Sequence, residues 1–145
     1  MIANFDPQEF LQKHWQKSPC LIRQGILYPL DFVEADELAG LSLEEEVESR
    51  IIRNDFEQWQ LMQGPFESED YSSLPESHWT LLVQTLDHWI PEINKLVASF
   101  NFIPSWRFDD VMVSYACDQG GAGPHFDNYD VFLVQGQGTR RWRVG

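Results

Sequence analysis

The chain has 145 residues, of which 43% are hydrophobic and 14% aromatic, and it carries a formal net charge of −13. By size this is a single domain over residues 1–145 with a core to build, since six Trp and ten Phe need burial. The charge disfavours a nucleic-acid groove and permits a basic partner; no apolar run reaches the length of a membrane span, and the N-terminus lacks the order of a signal peptide, so the chain is expected in the cytoplasm, away from membranes.

Taken in order, Asp6-Pro7-Gln8-Glu9 starts a helix, with Asp as N-cap, Pro at the first helical position and Glu three residues after the cap. Phe10, Leu11 and Trp15 lie on one side of it, and it ends before Ser18-Pro19. Cys20-Leu21-Ile22-Arg23 reads as a short strand. Asp36 is placed to cap a brief helix, and Ser42 with Glu45 has the spacing of a second capping box. The run Glu44-Glu45-Glu46 is a solvated helix face. Ser49 to Arg53 and Gln58 to Met62 read as two strands joined near Asn54-Asp55. Gly64-Pro65-Phe66 is a turn, and Glu67 to Ser73 a polar loop. Trp79, Leu82, Val83, Leu86 and Ile90 recur at helical spacing and predict a strong helix; Pro91 begins a second one with Ile93, Leu96, Val97 and Phe100. His14, His78 and His88 fall in these helical stretches, where surface or packing roles suit them. Pro104 breaks the helix, and Asp110 to Ala116 forms a strand. Cys20 and Cys117, far apart in apolar stretches, read as two reduced, buried thiols rather than a disulfide or a metal pair.

The chemistry gathers in the last quarter. A glycine loop, Gly120-Gly121-Ala122-Gly123-Pro124, leads into His125-Phe126-Asp127 and an apolar run from Tyr129 to Val134, read as a buried strand. A turn at Gly136-Gln137-Gly138 precedes Thr139 to Gly145. Side chains two apart on an extended strand share a face, so His125 and Asp127 can reach one metal ion together. One imidazole and one carboxylate are two thirds of the facial triad that holds non-haem Fe(II) with open positions. The plain alternative is a solvated loop that contains both residues. Three of the ten Lys and Arg residues fall in the last six positions, which points to a bound anion. Alternation puts Arg140, Trp142 and Val144 on one face and Arg141 and Arg143 on the other. The apolar face is the natural inside, so Arg140 is an inward charge that needs a partner such as a dicarboxylate. The predicted architecture is α+β, with helices and strands in residues 1–108 and consecutive barrel or jelly-roll strands in 109–145.

The chain resembles the JmjC-type, cupin-like ribosomal oxygenases, and among them the bacterial arginine hydroxylases of a large-subunit ribosomal protein. The resemblance runs through Phe10-Leu11, His14-Trp15, Gly64-Pro65-Phe66, Trp79 to Gln84, Phe102-Ile103-Pro104, Trp106-Arg107 and Asp109 to Ser114. It continues through Gly123-Pro124-His125, Asp127, Tyr129 to Phe132, Gln135, Gly138 and Arg140-Arg141-Trp142. It implies a double-stranded β-helix with helical additions, and an enzyme that uses Fe(II) and 2-oxoglutarate to place oxygen on a protein side chain. By position, His125 and Asp127 match two iron ligands, and Ser114 and Arg140 match residues that hold 2-oxoglutarate. A basic ribosomal protein is the implied substrate.

The sequence departs from the family in one respect. The family's third ligand is a distal His, and no His follows His125; most of the second half of the barrel is also missing. The chain is read as either a fragment of a longer enzyme or a naturally shortened relative. A non-catalytic, cupin-like binding or assembly module is therefore the alternative function, and an open strand over Thr139 to Val144 predicts a homo-oligomer.

Overall fold

The computed structural model describes residues 2–28, 30–55 and 58–144. A four-stranded antiparallel sheet lies at its centre. In chain order the strands are β1 (Ser49–Asp55), β2 (Gln58–Gln63), β3 (Trp79–Val83) and β4 (Val113–Ala116), and in space β2-β1-β3-β4. The two strands expected at 49–53 and 58–62 are present and pair antiparallel, with Ile51 opposite Met62; the residues joining them, Phe56 and Glu57, lie outside the described set.

The first helix, α1 (Pro7–Lys13), starts as its sequence dictates: the Asp6 carboxylate accepts from the backbone N–H groups of Gln8 and Glu9, and Pro7 occupies the first turn. Trp15 lies beyond its end. The second helix, α2 (Ala35–Leu41), is capped by Glu34 with Glu37, not by Asp36. Ser42 ends that helix instead of starting another, and its hydroxyl bonds the Ala39 carbonyl and the Tyr71 hydroxyl. Glu44 to Glu46 are exposed, in turns rather than on a helix. The expected turn at Gly64-Pro65-Phe66 is there, with a cis peptide before Pro65. The polar stretch that follows is no loop but a short helix, α3 (Ser68–Ser72), capped by Glu67 and Asp70. No strand forms at Cys20 to Arg23, which has no ladder partner, and Cys20 is exposed rather than buried; both cysteines are free.

The largest correction concerns the helix expected from Trp79 to Ile90. Trp79–Val83 is β3, with β1 on one side and β4 on the other, and Thr80, Leu81, Leu82 and Val83 are all buried. A strand covered on both faces reads as an unbroken apolar run, and a short run of that kind fits helical spacing as well. Thr85, in the left-handed region at φ 53°, separates it from α4 (Leu86–Trp89). Reciprocal bonds hold this corner: the Asp110 carboxylate accepts from Thr85 N–H, and the Asp87 carboxylate from Val111 N–H. The helix expected after Pro91 is α5 (Ile93–Val97), extended by a 3-10 turn over Ala98–Phe100; β4 is shorter than the strand expected from Asp110.

The two faces of the sheet have different duties. On one, Ile51, Leu81 and Val83 pack with Leu38, Val47, Phe66, Leu86 and Ile93 into the core. Side-chain alternation puts Trp59, Leu61, Thr80, Leu82 and Ser114 on the other face. Over that second face runs a C-terminal arm, residues 117–144.

The arm holds no regular strand: His125-Phe126-Asp127, Tyr129 to Val134 and Thr139 to Val144 are irregular, and Tyr129, Val131, Leu133, Val134, Trp142 and Val144 are exposed. Alternation alone cannot make a strand without a neighbour to complete its hydrogen bonds, and past its bridge at Asp118 the arm pairs with none of the described strands. Gly145, the last residue of that stretch, lies outside the described residues. The fold is thus α+β and the sheet is not closed into a barrel.

Candidate functional site

The arm leaves β4 through a tight turn. Cys117 makes its thiol and its N–H donors to the Trp79 carbonyl, and its sulfur accepts from Trp79 N–H. Gly120 then passes so close to β3 that a Cβ there would sit 2.1 Å from the Trp79 carbonyl oxygen. Gly123, at φ +75°, lies over the Trp59 ring, where a Cβ would be 3.1 Å from the indole. The glycine loop therefore serves close approach to the sheet, and it delivers His125.

The His125 ring is fixed by Nδ1, which lies 2.8 Å from the Gly123 carbonyl oxygen. A carbonyl only accepts, so Nδ1 is the donor, and Nε2 is the nitrogen left to face Asp127. That Nε2 is 3.9 Å from Asp127 Oδ2, and both side chains are open to solvent. The separation is less than two metal–ligand bonds of roughly 2.0–2.2 Å each, so one ion can touch both. The residues fit a divalent metal as two of its ligands. No third protein ligand joins them: among the described residues no group of three or more His, Cys, Asp and Glu could hold a metal. His14 caps α1, His78 precedes β3 beside Ser77, and His88 sits on α4 next to Asp87.

Arg140 returns the arm to the sheet. One guanidinium nitrogen donates to Ser114 Oγ at 2.8 Å, and a second lies 3.5 Å from the Ser114 carbonyl. The guanidinium also sits 5.9 Å from the centre of the Trp142 ring. Arg140 is half-buried while Arg141 and Arg143 are exposed, as parity requires, although Trp142 and Val144 are not inside. Burial pulls the Arg140 guanidinium down from its ordinary value, and among the described residues no carboxylate pairs with it. A half-buried cation on a serine, with no carboxylate partner among the described residues, has the charge and the donors to receive an anion.

One anchor had no local pattern in the sequence. Phe132 stacks on Trp15 at 5.9 Å and meets the rings of Phe10, Phe100 and Phe102 at 4.7–6.0 Å. Gln16 donates to Asp130, and Gln137 to Glu34. These contacts fasten the arm to the N-terminal part of the chain between the His125/Asp127 pair and Arg140. Partners 30 or more residues away leave no local pattern to read.

The model of the JmjC domain family matches residues 95–145. The chain is 47% identical over 137 residues to the ribosomal protein uL16 3-hydroxylase of Escherichia coli, covering 94% of this chain and 36% of that protein. A probable ribosomal oxygenase of Haemophilus influenzae is 43% identical over 140 residues, with 96% and 34% covered. The structure of the E. coli ribosomal oxygenase YcfD in complex with cobalt and 2-oxoglutarate superposes with a TM-score of 0.83 at 41% identity, over 89% of this chain and 35% of that one. The chain thus spans about a third of the length of these relatives.

Proposed function

We propose that this chain, which matches the N-terminal part of the JmjC-type ribosomal oxygenases, carries the first metal ligands and the cosubstrate anchor of an Fe(II)- and 2-oxoglutarate-dependent protein hydroxylase. The observation that carries the reading is Arg140: a half-buried guanidinium on Ser114, lacking a carboxylate, on the same arm as a His–Asp pair. His125 Nε2 and the Asp127 carboxylate would hold the iron. Arg140 would hold the distal carboxylate of 2-oxoglutarate. Ser114 accepts from Arg140 and so keeps its own hydroxyl proton to donate to the same carboxylate. When bound, metal and cosubstrate supply the oxidising power for hydroxylation. The substrate on this reading is an arginine of a basic large-subunit ribosomal protein, met in the cytoplasm; the acidic chain, at net charge −13, suits such a partner and not nucleic acid. Residues 109–145 would be the barrel part and 1–108 its N-terminal support.

Arg140→Ala is expected to weaken 2-oxoglutarate binding by roughly 1.5–3 kcal/mol, the loss of a charged hydrogen-bonding partner. Calorimetry on the metal-loaded protein checks it, and unchanged affinity would remove Arg140 from the role.

The 145 residues on their own are expected to give no turnover. Two ligands, both open to water, leave the metal geometry unfixed and the site undried. Succinate formation from 2-oxoglutarate with Fe(II), ascorbate and a basic ribosomal-protein peptide is the assay. Peptide-dependent turnover that disappears in His125→Ala would overturn the expectation. The same two-ligand set supports a second reading, a cupin-like binding or assembly module without chemistry; 2-oxoglutarate binding without turnover in any longer form of the chain would favour it.

A homo-oligomer belongs to the proposal as well, supported by the exposed Phe126, Tyr129 and Val144 on the arm. Sedimentation should show association that grows with concentration, and a monomer throughout would count against it.

A further inference from the structure

The face of the sheet turned away from Ser114 and the arm carries a separate cavity of about 170 Å³ under α2 and α3. Three rings line it, Tyr71, Trp79 and Tyr115; buried Leu81 is part of its wall, and Asp36 stands at its exposed edge. The polar handles of two of the rings are already engaged, the Tyr71 hydroxyl with Ser42 and the Trp79 indole N–H with the Pro75 carbonyl. What they offer the cavity is ring surface. No Lys, Arg or His lines it, and among the described residues no ion pair engages the Asp36 carboxylate.

We propose that this cavity is a cation cage for one alkylammonium group, the side-chain head of a lysine on a basic polypeptide. Ring faces carry negative charge and attract a cation, and a neighbouring carboxylate adds to that field. Trp79 and Tyr115 pack against each other, with ring centroids 5.6 Å apart and planes inclined at 46°, and form one bent aromatic wall of the cavity. A compact ammonium with its methylene stem lies along such a wall with its head toward Asp36. The volume holds about six waters, which is room for one side-chain head and no backbone. The surroundings select a polypeptide. No Lys or Arg occurs between Arg23 and Arg50 or between Arg53 and Lys95, and the first turns of α2 and α3 add Glu37, Glu69 and Asp70. Arg53, the cross-strand neighbour of Trp79, does not line the cavity. A chain with several positive charges is drawn to this rim more strongly than a lone amine. The cage stands on the opposite face from His125 and Arg140, and it holds whether or not the arm binds iron.

The test is a titration of the isotope-labelled 145-residue chain, followed by amide and indole resonances, with three probes: a basic peptide with one central lysine, the same peptide with norleucine there, and butylammonium chloride. The expected result is that the lysine peptide moves the resonances of Asp36, Tyr71, Trp79 and Tyr115 and binds at least fivefold more tightly than the norleucine peptide. Asp36→Asn, a change on an exposed helix turn that leaves the fold intact, should weaken it several-fold, and Tyr115→Leu on the edge strand should weaken it further. Equal binding of the two peptides, or shifts confined to the arm, would overturn the cage. Butylammonium binding as tightly as the lysine peptide would overturn the polypeptide as occupant in favour of a small free amine.

Discussion

Leu81→Ala is expected to destabilise the fold by about 3–4 kcal/mol, the cost of a cavity at a fully enclosed aliphatic position. Leu81 is 1% exposed on β3, opposite Ile51 on one neighbour and Tyr115 on the other, within the cluster that also contains Leu38 and Val83. For a domain of this size the melting temperature should fall by roughly 10 °C, read by circular dichroism. Leu61→Ala is the control: the same side chain on the same sheet, 57% exposed on β2, where a change within about 1 kcal/mol is expected. Similar losses at both positions would show that the core is not where β3 crosses the sheet.

Gly120→Ala should cost about 3 kcal/mol and loosen the arm as well. The added methyl would stand 2.1 Å from the Trp79 carbonyl oxygen and 3.0 Å from that of Cys117, and both are backbone, so no side chain can swing aside. Either β3 shifts or the turn opens, and opening it also strains the bonds by which Cys117 grips Trp79. Gly121→Ala, where a Cβ meets nothing within 4 Å, is the matched substitution and should be close to neutral. Thermal melting of the pair separates the two outcomes, and metal binding at His125 and Asp127 should weaken only in the Gly120 variant. Equal stability of the two variants would remove the close approach from the account.

The sequence was most legible where a local rule sufficed. Asp6 with Pro7 caps a helix through contacts within three residues, and the strands of residues 49–53 and 58–62 need only each other. It was least legible where burial on both faces erased the period, as in Trp79 to Val83, which match a helix and a central strand equally well. In the arm, alternation put Arg140 on the inner side and Arg141 and Arg143 outside, and the burial agrees. The strand that alternation implied is absent, because extended backbone becomes a strand only against a partner. His125 and Asp127 were readable as a pair from their spacing. The Gly123 carbonyl that fixes the His125 ring and the Phe132 anchor were not, since both depend on how the arm lies.

On the function proposed above, Phe132 has a consequence for how the arm would receive its ligands. Its ring cluster, with the Gln16–Asp130 bond, pins the chain midway between Asp127 and Arg140. A flexible tether would leave the two binding groups at low effective concentration relative to each other; a pinned one holds them at a fixed span. On that reading, a molecule that engages a metal at one end and a guanidinium at the other would meet a single two-point receptor, with the ordering entropy already spent in folding. The dependence of 2-oxoglutarate affinity on added metal measures that coupling. Phe132→Ala should lower it even though Phe132 touches neither ligand, and a coupling that survives the substitution would place the rigidity elsewhere.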